Sequence, residues 1–122
     1  MAKIQINWSK LLPLTKTQLS TLPKTSGVYR LSRKKEDGKF YVFYVGSAGN
    51  IKEKLLNHIS EQEENTRLKQ YLNQGGEFRF KYAEVQDQNF REAIEKQLYR
   101  HYLPELNAEE PKSTLDIEAN IN

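Results

Sequence analysis

The sequence predicts an α+β domain with the element order β-β-α-α-β-α, and three observations carry that reading. Asp37-Gly38 sits between Val28-Tyr29-Arg30-Leu31 and the run Phe40–Val45, a turn pair flanked by β-formers that marks a strand hairpin. Ile51, Leu55 and Ile59 recur one helical turn apart, with Leu56 widening the stripe. Phe78, Phe80 and Tyr82 alternate with Glu77, Arg79, Lys81 and Ala83, the period of a strand covered on one face.

One domain accounts for 122 residues, and a chain of that length buries a core without disulfides or a structural metal. Cys is absent, which removes thiol nucleophiles, zinc ribbons and iron–sulfur clusters together. A charged fraction of 29% and a mean hydropathy of −0.82 exclude a transmembrane span. The N-terminus has no apolar stretch of signal-peptide length, so the expectation is a soluble, cytoplasmic protein with no membrane partner. Formal charge is +3 overall, but residues 108–122 hold one lysine against four acids, a net of −3 that leaves +6 on residues 1–107. A basic body suits a polyanionic partner, although many ordinary domains share so modest an excess.

The elements follow in order. From Trp8 to Pro23 the leucines Leu11, Leu12, Leu14, Leu19 and Leu22 surround Pro13, and Thr17 can cap one short helical turn. Ser26-Gly27 introduces the first strand. The unbroken apolar and aromatic run Phe40–Val45 predicts a central strand covered on both faces. Gly46-Ser47-Ala48-Gly49-Asn50 reads as a loop, with Asn50 the N-cap of the first helix. The polar stretch Ser60–Asn65 loosens the helical pattern. Leu68, Tyr71 and Leu72 mark a second helix ended by Gly75-Gly76. After the third strand, Asp87 or Asn89 caps a helix carrying Phe90, Ile94 and Leu98, which stops before Pro104. Residues 1–107 form the domain, with its core in 22–107. Residues 108–122, rich in acids and poor in large side chains, predict a mostly disordered tail.

Candidate chemistry clusters around the hairpin. Tyr29 and Tyr44 lie near the ends of adjacent strands, though tyrosine is common in any sheet. Gly46-Ser47-Ala48-Gly49 before a helix can cradle a phosphate, but it lacks the Lys-Ser/Thr ending of a nucleotide-binding loop. Lys54 and His58, four residues apart, share one side of the first helix. In a cleft they would supply a cation and a proton carrier for phosphate chemistry; on an open surface they are only solvated. Glu95 adjoins the Phe90/Ile94/Leu98 stripe, where a carboxylate is either an ion-pair member or an oxygen ligand for Mg²⁺. His101 reads as a helix C-terminal cation.

These pieces resemble the GIY-YIG nuclease domain superfamily. Gly27-Val28-Tyr29 stands for its first triplet and Tyr44-Val45-Gly46 for its second. The lead-in Leu22–Tyr29 is similar to that of excision-repair incision subunits, whereas Tyr44–Ile51 with His58 is closer to phage intron-encoded homing endonucleases. Glu95-Lys96-Gln97-Leu98 and Pro104-Glu105-Leu106-Asn107 resemble the family's glutamate helix and its ending. The resemblance implies a three-stranded antiparallel sheet flanked by helices, with one divalent metal, Mg²⁺ or Mn²⁺, on Glu95. It further implies that Tyr44 is the base or water-positioning group, that Tyr29 supports water and phosphate, and that His58 assists proton transfer or binds phosphate. Gly46 would let the backbone approach the substrate closely, with Ser47 beside it.

Two departures shape the expected function. Lys54 stands where the family usually carries arginine, keeping the charge but losing the planar fork that grips two phosphate oxygens. The interval 30–43 is longer than is usual, consistent with an extended hairpin. The expectation is therefore a slow, metal-dependent endonuclease hydrolysing DNA phosphodiesters, or else a catalytically inactive module of the same fold that binds nucleic acid or a partner. Arg33, Lys34, Lys35 and Lys39 on the hairpin would meet the phosphate backbone. Specificity would come from that loop, a homo-oligomer or a partner protein.

Overall fold

The computed structural model describes residues 2–107 and 110–121, apart from the Ala2 side chain. In chain order the elements are β1 (Ala2–Ile4), β2 (Leu12–Pro13), α1 (Lys16–Leu19), β3 (Gly27–Lys34), β4 (Phe40–Ala48), α2 (Ile51–His58), α3 (Thr66–Leu72), β5 (Phe78–Glu84), α4 (Gln88–Tyr102) and β6 (Ile117–Ala119). The stretch from β3 to α4 has the predicted order. Its sheet, however, has four strands in the order β2-β5-β3-β4, all pairings antiparallel, because two residues of the N-terminal segment add to the edge of β5.

Local chemistry sets most boundaries. Asn50 accepts from Glu53 N at 3.1 Å and opens α2, and Asp87 rather than Asn89 opens α4 by accepting from Phe90 N at 3.1 Å. Thr15, not Thr17, caps α1, since its hydroxyl accepts from Gln18 N. The hairpin turns at Gly38, whose φ of 81° suits a residue without Cβ. Gly46-Ser47-Ala48 is not a loop but the end of β4, pairing with Tyr29, Val28 and Gly27. Only Gly49-Asn50 remains as the connection to α2.

The central strand is β3, and the apolar run expected there, β4, lies at the sheet edge. Periodicity misleads here because β3 hides a charge. Arg30, only 7% exposed, stacks between the rings of Trp8 and Tyr102 and donates to the Tyr102 hydroxyl and the Ile121 carbonyl. β4 carries a bulge: Leu31 faces Tyr44 while Ser32 faces Val42, leaving Phe43 as the additional residue. Phe43 and Tyr44 consequently both pack on the face covered by α1, α2 and α3, with Val42 and Val45 on the face covered by α4.

The sheet thus separates two cores. Tyr29, Leu31, Phe43 and Phe80 meet Leu19, Leu55 and Leu68 on one side; Val28, Val45 and Ala83 meet Ala93, Ile94 and Leu98 on the other. The expected disorder of residues 108–122 does not extend to the described part of that segment; 108, 109 and 122 lie outside the described residues. Residues 110–121 run back along α4, with Lys96 Nζ donating to the Ser113 carbonyl and Gln97 to that of Ile117. β6 then pairs in parallel with β1, and Ile117 enters the second core. Among the described residues no helix is long and apolar enough to cross a membrane.

Candidate active site

The residues singled out in the sequence separate into two groups. Tyr29, Tyr44, Gly46, Ser47, Lys54, His58 and Glu95 converge where β3 and β4 meet α2 and α4. Arg33, Lys34 and Lys35 lie toward the other end of the hairpin, about 13 Å further along β3 from Tyr29.

Tyr29 is at the centre of the cluster and almost sealed, at 1% exposure. It pairs with Gly46 across the strands, and its ring occupies the place of the missing side chain: a Cβ at Gly46 would lie 2.5 Å from Tyr29 Cζ. The glycine is required by the tyrosine's close approach. Tyr29 Oη lies 2.7 Å from His58 Nε2, and His58 Nδ1 lies 2.5 Å from Glu63 Oε2. Tyr44 stacks nearly parallel to Tyr29 at 6.4 Å between centroids and meets the His58 ring edge-on at 5.1 Å. Among the described residues its hydroxyl has no partner and no buried polar side-chain atom lacks a hydrogen bond, so that hydroxyl is open to solvent.

Glu63 escapes any reading of the sequence. It lies in the aperiodic stretch between α2 and α3, where an acid looks like any other solvated loop residue. No pattern marks it; only the fold brings it to His58.

Electrostatics follow burial. Desolvation, then Tyr44 and the carboxylates of Glu95 and Glu63, push the Tyr29 phenol well above its ordinary range. Desolvation, Glu63 and Glu95 likewise push Tyr44 up to about 12. Burial holds His58 below the usual histidine value despite the pull of Glu63, with Lys54 adding to the depression. A neutral His58 beside a carboxylate carries its proton on Nδ1, so Nε2 accepts from Tyr29. Both nitrogens are then occupied, and neither is presented to a phosphate.

Glu95 is half-buried, and desolvation raises its pKa against the stabilising hydroxyl of Ser47. Ser47 Oγ donates to Glu95 Oε1 at 2.5 Å. Among the described residues nothing donates to Oε2 and no buried side-chain polar atom is left without a partner, so Oε2 is open to solvent. Among the described residues no group of three or more His, Cys, Asp or Glu side chains is placed to hold a metal. One open carboxylate oxygen fits Mg²⁺ or Mn²⁺ in the manner of sites completed by water and phosphate oxygens. Lys54 is exposed and borders an open groove of about 420 Å³ with Ser47, Gly49, Asn50 and Asn57. Its charge reaches both His58 and Glu95.

Asn107 closes the edge of β4: it accepts from Val45 N at 3.0 Å and donates to Val45 O at 2.8 Å. The middle residue of Tyr44-Val45-Gly46 is thereby fixed on its open side. At the hairpin, Arg33 is occupied, donating to Gln74 and the Gly75 carbonyl and stacking on Tyr71 and Phe78. Lys34 makes a long, exposed pair with Glu77 at 3.9 Å, and Lys35 lies over the Tyr41 ring.

No family model matches this chain, and no curated protein matches it. Solved structures do. The magnesium-bound GIY-YIG N-terminal endonuclease domain of UvrC from Thermotoga maritima superposes with a TM-score of 0.60 at 18% identity, covering 76% of this chain and 94% of that one. A point mutant of the same domain, bound to its catalytic divalent cation, gives 0.58 at 18% identity over 77% and 94%. What is shared at that identity is the architecture: this chain has the fold of a GIY-YIG endonuclease domain.

Proposed function

We propose that this protein is a metal-dependent endonuclease that hydrolyses DNA phosphodiesters slowly. The observation that supports it most is the convergence of Tyr29, Tyr44, His58 and the open Oε2 of Glu95 beside Lys54, on a fold shared with a magnesium-bound endonuclease domain. Glu95 would hold Mg²⁺ or Mn²⁺, whose positive charge would offset that of the scissile phosphate and the carboxylates around it.

The chain's own groups divide the remaining work. A phosphodiester in the groove brings its negative charge to Lys54. Tyr44, protonated and open to solvent, orients a water for in-line attack rather than standing ready as a phenolate. His58 holds Tyr29 behind Tyr44, and Asn107 holds the strand that carries Tyr44 in register. Lys34 and Lys35 would touch phosphates away from the cleaved bond and add affinity without sequence preference. Specificity would come from the hairpin, a partner protein or a second copy.

Incubation with plasmid and branched DNA, with Mg²⁺ or Mn²⁺ and then with chelator, tests this reading. Metal-dependent nicking is expected. Salt-sensitive binding without cleavage in either metal would assign the fold to a nucleic-acid-binding module, the alternative that Lys54 favours.

A further inference from the structure

The Glu63–His58–Tyr29 chain has a direction. Glu63 is 7% and His58 1% exposed at the side chain, so water does not compete for their bond. Glu63 is itself fixed, because its second oxygen, Oε1, accepts from Asn65 N at 3.0 Å. A carboxylate accepts hydrogen bonds, and a buried imidazole nitrogen facing it must donate. The donation places the proton of neutral His58 on Nδ1 and leaves Nε2 as an acceptor. Tyr29 must then give its only hydroxyl proton to Nε2 at 2.7 Å. The phenol oxygen retains lone pairs alone for its next polar neighbour.

We propose that Glu63 is a positioning residue of this site: through His58 it sets the direction of the Tyr29 hydrogen bond and so holds the sealed Tyr29 ring against Gly46 and behind Tyr44. The inference deepens the nuclease reading and rests on it for its consequence in catalysis, while the hydrogen-bond direction stands on geometry. The charged and titratable groups facing His58 are Tyr29 from β3, Tyr44 from β4, Lys54 from its own helix and Glu63 from the following loop. Among these only Glu63 contacts Nδ1.

The test compares the parent with Glu63→Gln and Glu63→Asp. Nitrogen-15 NMR reads the tautomer of each histidine, and His101, the other of the two in the chain, is identified by its loss in His101→Gln. The parent is expected to show His58 protonated on Nδ1. Glu63→Gln offers an amide N–H to Nδ1 and is expected to move the proton to Nε2; Glu63→Asp is expected to keep it on Nδ1. Cleavage by Glu63→Gln should fall by at least about tenfold in kcat with DNA affinity unchanged, and Glu63→Asp should recover part of it. A parent His58 protonated on Nε2 overturns the inference whatever the DNA result. A tautomer that inverts in Glu63→Gln while kcat stays at the parent value overturns the positioning role and leaves the nuclease reading intact. A parent that inverts its tautomer on substitution but cleaves no DNA overturns the nuclease reading and supports the hydrogen-bond direction alone.

Discussion

In the proposed nuclease, Lys54 is the side chain on which the rate would turn. It can offset one phosphate charge but cannot hold two oxygens in a fixed plane. Transition-state contacts of this kind are typically worth roughly 2.7–4 kcal/mol, about a hundred- to a thousandfold in rate. Lys54→Arg should therefore raise kcat and Lys54→Ala should lower it, with metal dependence retained in both, as single-turnover cleavage will measure. The buried tyrosine and histidine make a separate prediction about stability. The unfolded chain protonates His58 near pH 6.5, whereas the folded chain resists until lower pH, so stability is full above that value and is lost as pH falls through the interval. Tyr29 acts at the other end: the unfolded phenol ionises near pH 10 while the folded one does not, so stability is lost as pH rises beyond that. Thermal unfolding against pH should show both shoulders, and Tyr29→Phe should shrink the alkaline one to the part that Tyr44 contributes. Tyr29, Tyr44, His58 and Glu95 are legible in the sequence through the resemblance of the triplets and the glutamate helix to the GIY-YIG pattern, whereas spacing alone leaves them ordinary sheet and helix residues. Glu63 is not, since a loop acid becomes a buried partner only when α2 and α3 pack.

Among elements, β4 matters most to the site. Its bulge at Phe43 turns two consecutive aromatics to one face, which supplies a core residue and a site residue from adjacent positions. A bulge has no sequence signature of its own here, and so the run Phe40–Val45 reads as a strand buried on both faces. It is an edge, partly covered by Leu106, whose N–H donates to the Phe43 carbonyl, and by Asn107. The hairpin beyond it gives an element-scale prediction. Arg33 is held by Gln74, Gly75 and two rings, so the proposed phosphate contact would fall to Lys34 and Lys35. The double change Lys34→Ala, Lys35→Ala should weaken DNA binding about equally across sequences and flatten its salt dependence. A loss confined to certain sequences would show instead that the hairpin reads bases.

For the molecule as a whole, composition is a poor guide to the C-terminal segment. Acids and small residues make it polar overall, but Ile117, Asn120 and Ile121 help to dock it. Asn120 accepts from Ile6 N at 2.7 Å and donates to Ile6 O at 2.8 Å, and the Ile121 carbonyl receives Arg30. Burying one such isoleucine contributes about 1.5–3 kcal/mol. Ending the chain at Asn107 should accordingly lower Tm by several degrees and leave Arg30 without its carbonyl acceptor. An unchanged Tm would show that the segment adds nothing to the fold. Whether Glu95 holds the metal on which cleavage depends is the central question for this molecule, and Glu95→Gln tests it most directly. The amide keeps an oxygen to accept from Ser47 and removes a half-buried charge, so the variant should fold with a Tm at or above the parent's. DNA nicking in Mg²⁺ or Mn²⁺ should disappear from that variant while the parent nicks and chelator stops it; equal cleavage by the two proteins would contradict the claim.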